Sequence, residues 1–391
     1  MSAAATHRPV RIALVTDGFD PITGGLETWA HQFVEWLIAA GYAVEVVTFH
    51  AAAAAPARVH VLPWSRSPLQ RAAQVARCLQ TIRADIVHDL GTGERADVFH
   101  PQTGSRRASV DRDLLARPRM RRWRSTLSPA FQRWRREIDV LEQKQCANAR
   151  SIIAVSNLVK HDLQRRFALP QGAVEVIRNG VDTHTFRPAA APQERVQCRA
   201  RFGLAEEVMF VLVAANFGLK GVGTVLRALA RLDAERSRVR VLIVGTHDLS
   251  RYTREAQRLR VGPAVRFLGW VDDIGAVYRA ADVSLQPSYY DACSLSTLEA
   301  LASGLPLITT AWNGAAEVIE PGVHGLILHD PADANGLASA MLELLDPVQR
   351  TRMASAVREL APACDRRRSY AAIETIYQRH LAGAAQTRGA R

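Results

Sequence analysis

Along this chain, apolar runs of strand length alternate with apolar stripes of helical period, and the alternation occurs twice. Val10 to Thr16 is a mostly apolar run of strand length, which predicts a strand buried on both faces. A loop carrying Gly24-Gly25 follows. Leu26, Trp29, Ala30, Phe33, Val34, Leu37 and Ile38 then recur at helical spacing and stop at Gly41, predicting a helix. Tyr42 to Phe49 predicts the next strand, and Asp85 to His88 and Ser151 to Val155 continue a parallel sheet. From Val208 the rhythm restarts. Val208–Ala214, Val239–Gly245, Val265–Leu268, Asp282–Gln286 and Leu305–Thr310 predict strands with helices between them. Two doubly wound domains follow, residues 1–187 and 188–365. Their boundary is placed where Pro and Ala gather between Arg187 and Glu194, ahead of a helix near Arg195 to Phe202. Ala51 to Ala57 reads only as a loop.

The candidate chemistry lies in the second half. Ala281 to Gln286 predicts a buried strand that Pro287-Ser288 terminates, so Asp291 falls in the loop at the strand's carboxyl end, where open α/β sheets bind ligands. Ser294 to Ser303 predicts a helix with Leu295, Leu298, Ala302 and Leu305 on one face and Gly304 as its stop. Its first amides lack helical partners and attract phosphate. Glu299, just over a turn in, is placed to accept hydrogen bonds from sugar or ribose hydroxyls. Two carboxylates eight positions apart around a helix start suit a bound nucleotide sugar.

This segment resembles the signature of the retaining glycosyltransferases of the GT-B fold, family 4, which is an acid, seven residues, Glu-Ala, then Gly-x-Pro. Ala154-Val155-Ser156, Asn179-Gly180-Val181-Asp182 with Phe186-Arg187-Pro188, Lys220-Gly221, Phe267 to Val271, and Asn313-Gly314 with Glu317 occur in the family's order, from about Arg11 to about Leu345. Tyr289-Tyr290 before the acid, Cys293-Ser294 after it and Asn216-Phe217 before Lys220 are similar to the branch with lipopolysaccharide-core sugar transferases. The resemblance implies two Rossmann-like domains facing a central cleft, with a last helix at 366–383 crossing back to the first. Ile373, Ile376, Tyr377 and His380 form one side of that helix. It implies a nucleotide diphosphate sugar as donor, a UDP-sugar foremost, with no cofactor. Asp291 would hold hexose hydroxyls, Lys220 the diphosphate, Glu299 the ribose and Val271 the base through its backbone. Cys293, Ser294, Leu295 and Ser296 would line the donor, with Cys293 as a packing neighbour. Gly24 and Gly25 would offer bare backbone to donor phosphates or acceptor. Glu27 reads equally as an acceptor contact or as a charge favourable in a helix's first turn. Relatives place a histidine near the cleft in the first domain. His100 or, second to it, His88 fills that place, and either also reads as a structural hydrogen-bonder.

Two departures stand out. Relatives carry an arginine shortly before the lysine, yet positions 202–226 contain none. Lysine does not reproduce the bidentate fork of arginine, so either another residue substitutes or donor affinity falls, and a nucleotide-sugar binder with weak or no transfer is the rival reading. The acid is Asp291 where Glu is commoner, which selects another hexose or merely shifts a loop.

Composition and charge add a partner. The 391 residues, 48% hydrophobic, suffice for two cores, and no signal-peptide pattern or apolar run of membrane length appears, so the expected location is cytoplasmic. Met1 to Pro9 is short and polar. Five scattered cysteines without Cys-x-x-Cys spacing argue for reduced thiols and against a zinc site. Asp111-Arg112-Asp113 has the form of a metal pair but lies among arginines at a helix start, so no metal is expected. Residues 105–136 hold 11 arginines against two acids, carrying +9 of the formal +12. Met120, Trp123, Leu127, Phe131, Trp134, Ile138 and Leu141 recur there at helical spacing, predicting helices from near Pro118 and near Ser128-Pro129. No nucleic-acid-binding signature accompanies the charge. An anionic membrane surface, or a phosphate-rich saccharide or glycolipid acceptor, fits better, and the plain alternative is an apolar stripe packed on the first domain beneath solvated arginines. A peripheral place on the cytoplasmic face of the inner membrane follows from the first of these.

Overall fold

The predicted rhythm resolves into two parallel sheets in a computed structural model that describes residues 8–204, 206–245 and 249–389. The first contains β1 (Arg11–Val15), β2 (Ala43–Thr48), β3 (Arg58–Val61), β4 (Ile86–Asp89), β5 (Val98–Phe99), β6 (Ser151–Ala154) and β7 (Val174–Val176), in the order β3-β2-β1-β4-β5-β6-β7. The second contains β8 (Val208–Val213), β9 (Val239–Val244), β10 (Val265–Gly269), β11 (Val283–Gln286), β12 (Leu307–Thr310) and β13 (Gly325–Leu328), in the order β10-β9-β8-β11-β12-β13. Each order reverses direction beside its first strand, between β1 and β4 and between β8 and β11. These switch points open crevices at the strands' carboxyl ends. Most of the polar N-terminal stretch, residues 1–7, lies outside the described residues.

The strands are nearly all apolar because helices cover both sheet faces. Ile12, Leu14 and Val46 are buried beside Trp29, Phe33 and Leu37 of the Gly25–Ala39 helix. The same core takes Tyr370, Ile373, Ile376 and Tyr377 from the last helix, Arg366–Gly389. Burying side chains of this size contributes about 1.5–3 kcal/mol each, enough to hold the helix on the first sheet. The chain therefore crosses between the sheets twice. The two crossings run side by side: the Val181 amide donates to the Cys364 carbonyl at 2.7 Å, and the Arg366 amide donates to the Val181 carbonyl at 3.0 Å. A Cβ at position 180 would stand 2.5 Å from the Arg366 backbone, so Gly180 lets them approach.

The arginine-rich segment forms helices Arg106–Ala116, Arg119–Leu127 and Pro129–Asn148, with Ser105 and Ser128 as side-chain caps. Its apolar stripe divides. Ile138 and Leu141 are buried, whereas Met120, Trp123 and Leu127 are 73%, 63% and 60% exposed. The arginines divide as well. Arg106 pairs with Asp17, Arg107 with Asp111 and Asp139, Arg117 with Asp113 and Arg135 with Asp111. Arg112 stacks its guanidinium on Trp312 of the second domain. No helix among the described residues is long and apolar enough to cross a membrane.

Candidate functional site

The Val222–Leu229 helix begins unusually close to β11. Gly221, its N-cap, has φ +75°, and a Cβ there would stand 2.2 Å from the Pro287 carbonyl oxygen, so another residue would push the helix away. The residue before it, Lys220, is thereby delivered to the loop that follows β11. Its ammonium pairs with the Asp291 carboxylate, and Nζ donates to Ser294 Oγ at 3.0 Å. Ser294 is the N-cap of the Leu295–Ala302 helix, its hydroxyl 3.4 Å from the Thr297 amide and 3.0 Å from Ser296 Oγ. The first amides beyond it have no partner within the helix. A cation, a carboxylate, two hydroxyls and a helix N-terminus thus share one end of the second sheet.

Glu299 sits deeper. Its Oε2 accepts from the Tyr278 hydroxyl at 2.9 Å, and Tyr278 Oη is also 3.1 Å from the Ser296 carbonyl. Burial pushes the Glu299 carboxyl up to about 7, against the pull of the Tyr278 hydrogen bond and the Lys220 charge. Val271, just past β10, is half-buried, beside an exposed Trp270 whose indole donates to Asp272 at 3.0 Å. Across the cleft, a methyl group on Gly25 would lie 3.5 Å from Leu295 Cδ1, so the Gly24-Gly25 loop faces the start of the Leu295–Ala302 helix. Glu27 folds back towards that loop, with Oε2 2.7 Å from where a Gly24 Cβ would be. Burial, and then the charges of Asp17 and Asp20, raise its pKa.

Contacts between the domains hold the Asp291 loop. Ser156 Oγ donates to the Ala292 carbonyl at 2.6 Å, and the Asp291 amide donates to the carbonyl of Trp312, the residue that Arg112 covers. Glu317 of the second domain accepts from the Asn157 and Leu158 amides at 2.9 and 2.7 Å, capping a first-domain helix.

Comparison with known proteins places this geometry. The family model described as Glycosyltransferase Family 4 matches residues 23–185, and that described as Glycosyl transferases group 1 matches residues 207–347. The chain belongs to glycosyltransferase family 4. Its sequence is similar to a D-inositol 3-phosphate glycosyltransferase of Salinispora arenicola, 33% identical over 208 residues, 49% of this chain and 46% of that one. The chain spans about half the length of the curated relatives it matches. The fold is that of the GT-B structure of WaaG, a glycosyltransferase involved in lipopolysaccharide biosynthesis, with a TM-score of 0.80 and 22% identity over 93% of this chain and 99% of that one. HepE of Anabaena, in a complex with UDP-glucose, has the same fold, with a TM-score of 0.69 and 19% identity over 96% and 99% of the two chains.

Within this family 4 chain, His100 stands apart from the other expected site residues. It is 1% exposed, its Nδ1 is 3.2 Å from His88 Nε2, and its Nε2 is 3.0 Å from Gln102 Nε2. His88 in turn meets the Tyr377 hydroxyl at 2.5 Å, and Gln102 accepts from Asn179 at 2.9 Å. The His100 ring is thus hydrogen-bonded within the protein in this structure. Both of its ring nitrogens face protein groups, and burial lowers the pKa of both histidines, His88 to about 3. Cys293 is buried, which pushes its thiol up to about 12, so it packs as an inert neighbour. The Asp111-x-Asp113 carboxylates are taken by arginines, Asp111 by Arg107, Arg135 and Arg166 and Asp113 by Arg117. Sequence reading missed Tyr278, which precedes Glu299 by 21 positions and gives no local signal. Trp312 next to Asn313-Gly314 was the available sign of the clasp with Arg112.

Proposed function

We propose that the protein transfers a hexose, with retention at the anomeric carbon, from a nucleotide diphosphate sugar, a UDP-sugar foremost, to a membrane-associated saccharide acceptor such as a lipopolysaccharide core or another glycolipid. The observation that carries this reading is the meeting of Lys220, Asp291 and Ser294 at a helix N-terminus, with Glu299 a little over one turn further on. Without donor, the ammonium is partnered by Asp291. An arriving diphosphate takes over the ammonium together with the unpaired amides after Ser294, which releases Asp291 to hold sugar hydroxyls. Glu299 accepts from the ribose, and the Val271 backbone contacts the base. As the bond to diphosphate breaks, negative charge grows on the leaving oxygen, and Lys220 and the amides stabilise it more than they stabilise the ground state. The acceptor hydroxyl attacks from the same face, and the departing phosphate takes its proton. No step draws on a metal.

The membrane part of the reading rests on Met120, Trp123 and Leu127, which are exposed among Arg119, Arg121, Arg122 and Arg124. Each basic side chain near an anionic surface contributes about 1 kcal/mol, so four contribute about 4 kcal/mol, enough for reversible attachment. Incubation with UDP-sugars and a lipopolysaccharide-core acceptor tests the proposal. The expected results are acceptor-dependent nucleotide release that survives EDTA, and a product of unchanged anomeric configuration. Stabilisation by a UDP-sugar without nucleotide release under any acceptor would leave a binding protein instead. Co-sedimentation with anionic vesicles should be salt-sensitive and lost on replacing Arg121, Arg122 and Arg124 with Gln.

A further inference from the structure

Between the turn at 115–118 of the first domain and the Val222–Leu229 and Leu249–Arg258 helices of the second lies a cavity of about 540 Å³. Arg117, Arg227, Arg251, Arg254 and Arg258 line it, the first from one domain and four from the other. Arg251, Arg254 and Arg258 share one helix face by their spacing. Two carboxylates stand near. Asp113 is held by Arg117, and Glu255 lies 3.8 Å from Arg227. Arg251 lies over the Tyr252 ring at 5.3 Å, and Arg251, Arg254 and Arg258 have no carboxylate partner among the described residues. Cations gathered around one space repel each other, and an entering anion relieves that repulsion. Guanidinium forks match a phosphate group bidentately.

The cavity is next to the proposed donor site and is distinct from it. Tyr289 lines it, two residues before Asp291, and the Tyr289 amide donates at 2.7 Å to the carbonyl of Leu219, the neighbour of Lys220. A donor diphosphate already has Lys220 and the helix amides, whereas this space is walled by both domains. The exposed Trp123 face lies on the helix that follows the 115–118 turn, and a concave space suits a single anionic group better than a membrane plane. We infer that the cavity binds a phosphate group carried by the acceptor, so that the acceptor is a phosphorylated saccharide. This inference rests on the transferase reading above.

Calorimetric titration with glucose 6-phosphate and with glucose, on protein saturated with UDP, tests it. The expected result is measurable binding of glucose 6-phosphate, none of glucose, and a loss of about tenfold or more in the Arg254→Gln/Arg258→Gln variant, with UDP affinity within twofold of wild type. Both side chains are exposed, and a thermal melt verifies that the variant folds. Arg121→Gln/Arg122→Gln should leave glucose 6-phosphate affinity unchanged. Equal affinity in wild type and the Arg254→Gln/Arg258→Gln variant would overturn the inference, and so would a parallel loss of UDP affinity, which would assign the arginines to the donor. If UDP fails to bind while glucose 6-phosphate binding still depends on Arg254 and Arg258, the transferase reading fails and the anion site stands.

Discussion

The two sheets end in two polar clusters built on opposite terms. At the carboxyl end of the first, His88, His100, Gln102, Asn179 and Tyr377 are buried and supply one another's hydrogen-bond partners. At the carboxyl end of the second, Lys220 and Asp291 keep side-chain exposures of 17% and 16%; among the described residues they pair with each other, and Lys220 also donates to Ser294. Comparable topology thus serves two purposes. A cluster whose members satisfy each other completely adds rigidity, and one that keeps open acceptors and donors beside a helix N-terminus is ready to exchange partners with a ligand.

The strongest way to break this comparison is Lys220→Ala. With the cation gone, acceptor-dependent nucleotide release should fall by about 100- to 1000-fold, the range for removing one preorganised group from a charge-stabilising site. A rate within threefold of wild type would remove the distinction.

On the closed side, His88→Ala leaves His100 and Tyr377 without their buried partner and should cost about 2–3 kcal/mol in urea unfolding, with UDP affinity nearly unchanged. The same cluster predicts a pH effect. The folded pKa of His88 is held near 3 by burial, below the ordinary 6.5, so its contribution is present above pH 6.5 and is lost as pH falls towards 3. A variant as stable as wild type, but with weakened UDP binding, would show the cluster to be part of the site.

Glu299 sharpens the contrast at smaller scale. Its carboxyl is raised from 4.5 to about 7, so the stability it contributes is present below pH 4.5 and lost as pH rises through 7, where the ionised form prevails. That ionised form has the acceptors a ribose needs. UDP affinity should therefore drop about fivefold between pH 8 and pH 6 in wild type and stay flat in Glu299→Gln, as read by calorimetry at the two pH values. The smallest effect belongs to Cys293→Ala, expected to shift UDP affinity less than about twofold. Alkylation of native protein at pH 8 should spare Cys293, because its thiol is held near 12.

Much of this was legible from residue patterns. The long apolar strands and the Leu295–Ala302 helix follow from local periodicity, which tertiary packing reinforces. Of the strands overlooked, β5 and β7 run only two and three residues, too few for a period to declare itself, while β3 and β13 are no shorter than strands that were read. The lysine, the acid and the helix start were visible because each is tied to a strand end. The fate of His100 was not. Its partners are His88 of β4 and Gln102, which lead on to Tyr377 of the last helix and to Asn179, so burial depends on contacts up to 289 positions apart. The division of the arginine segment was hidden for the same reason, since identical spacing puts Leu141 in a core and Trp123 in solvent.

The paired crossings at Val181 and Asp365 also set the mechanics of the molecule. Two domains on a single tether could swivel, tilt and twist independently. Here the tether is double, and its two strands are laced together through Val181, Cys364 and Arg366. Such a ribbon flexes across its flat face but resists torsion, because twisting it must shear those bonds.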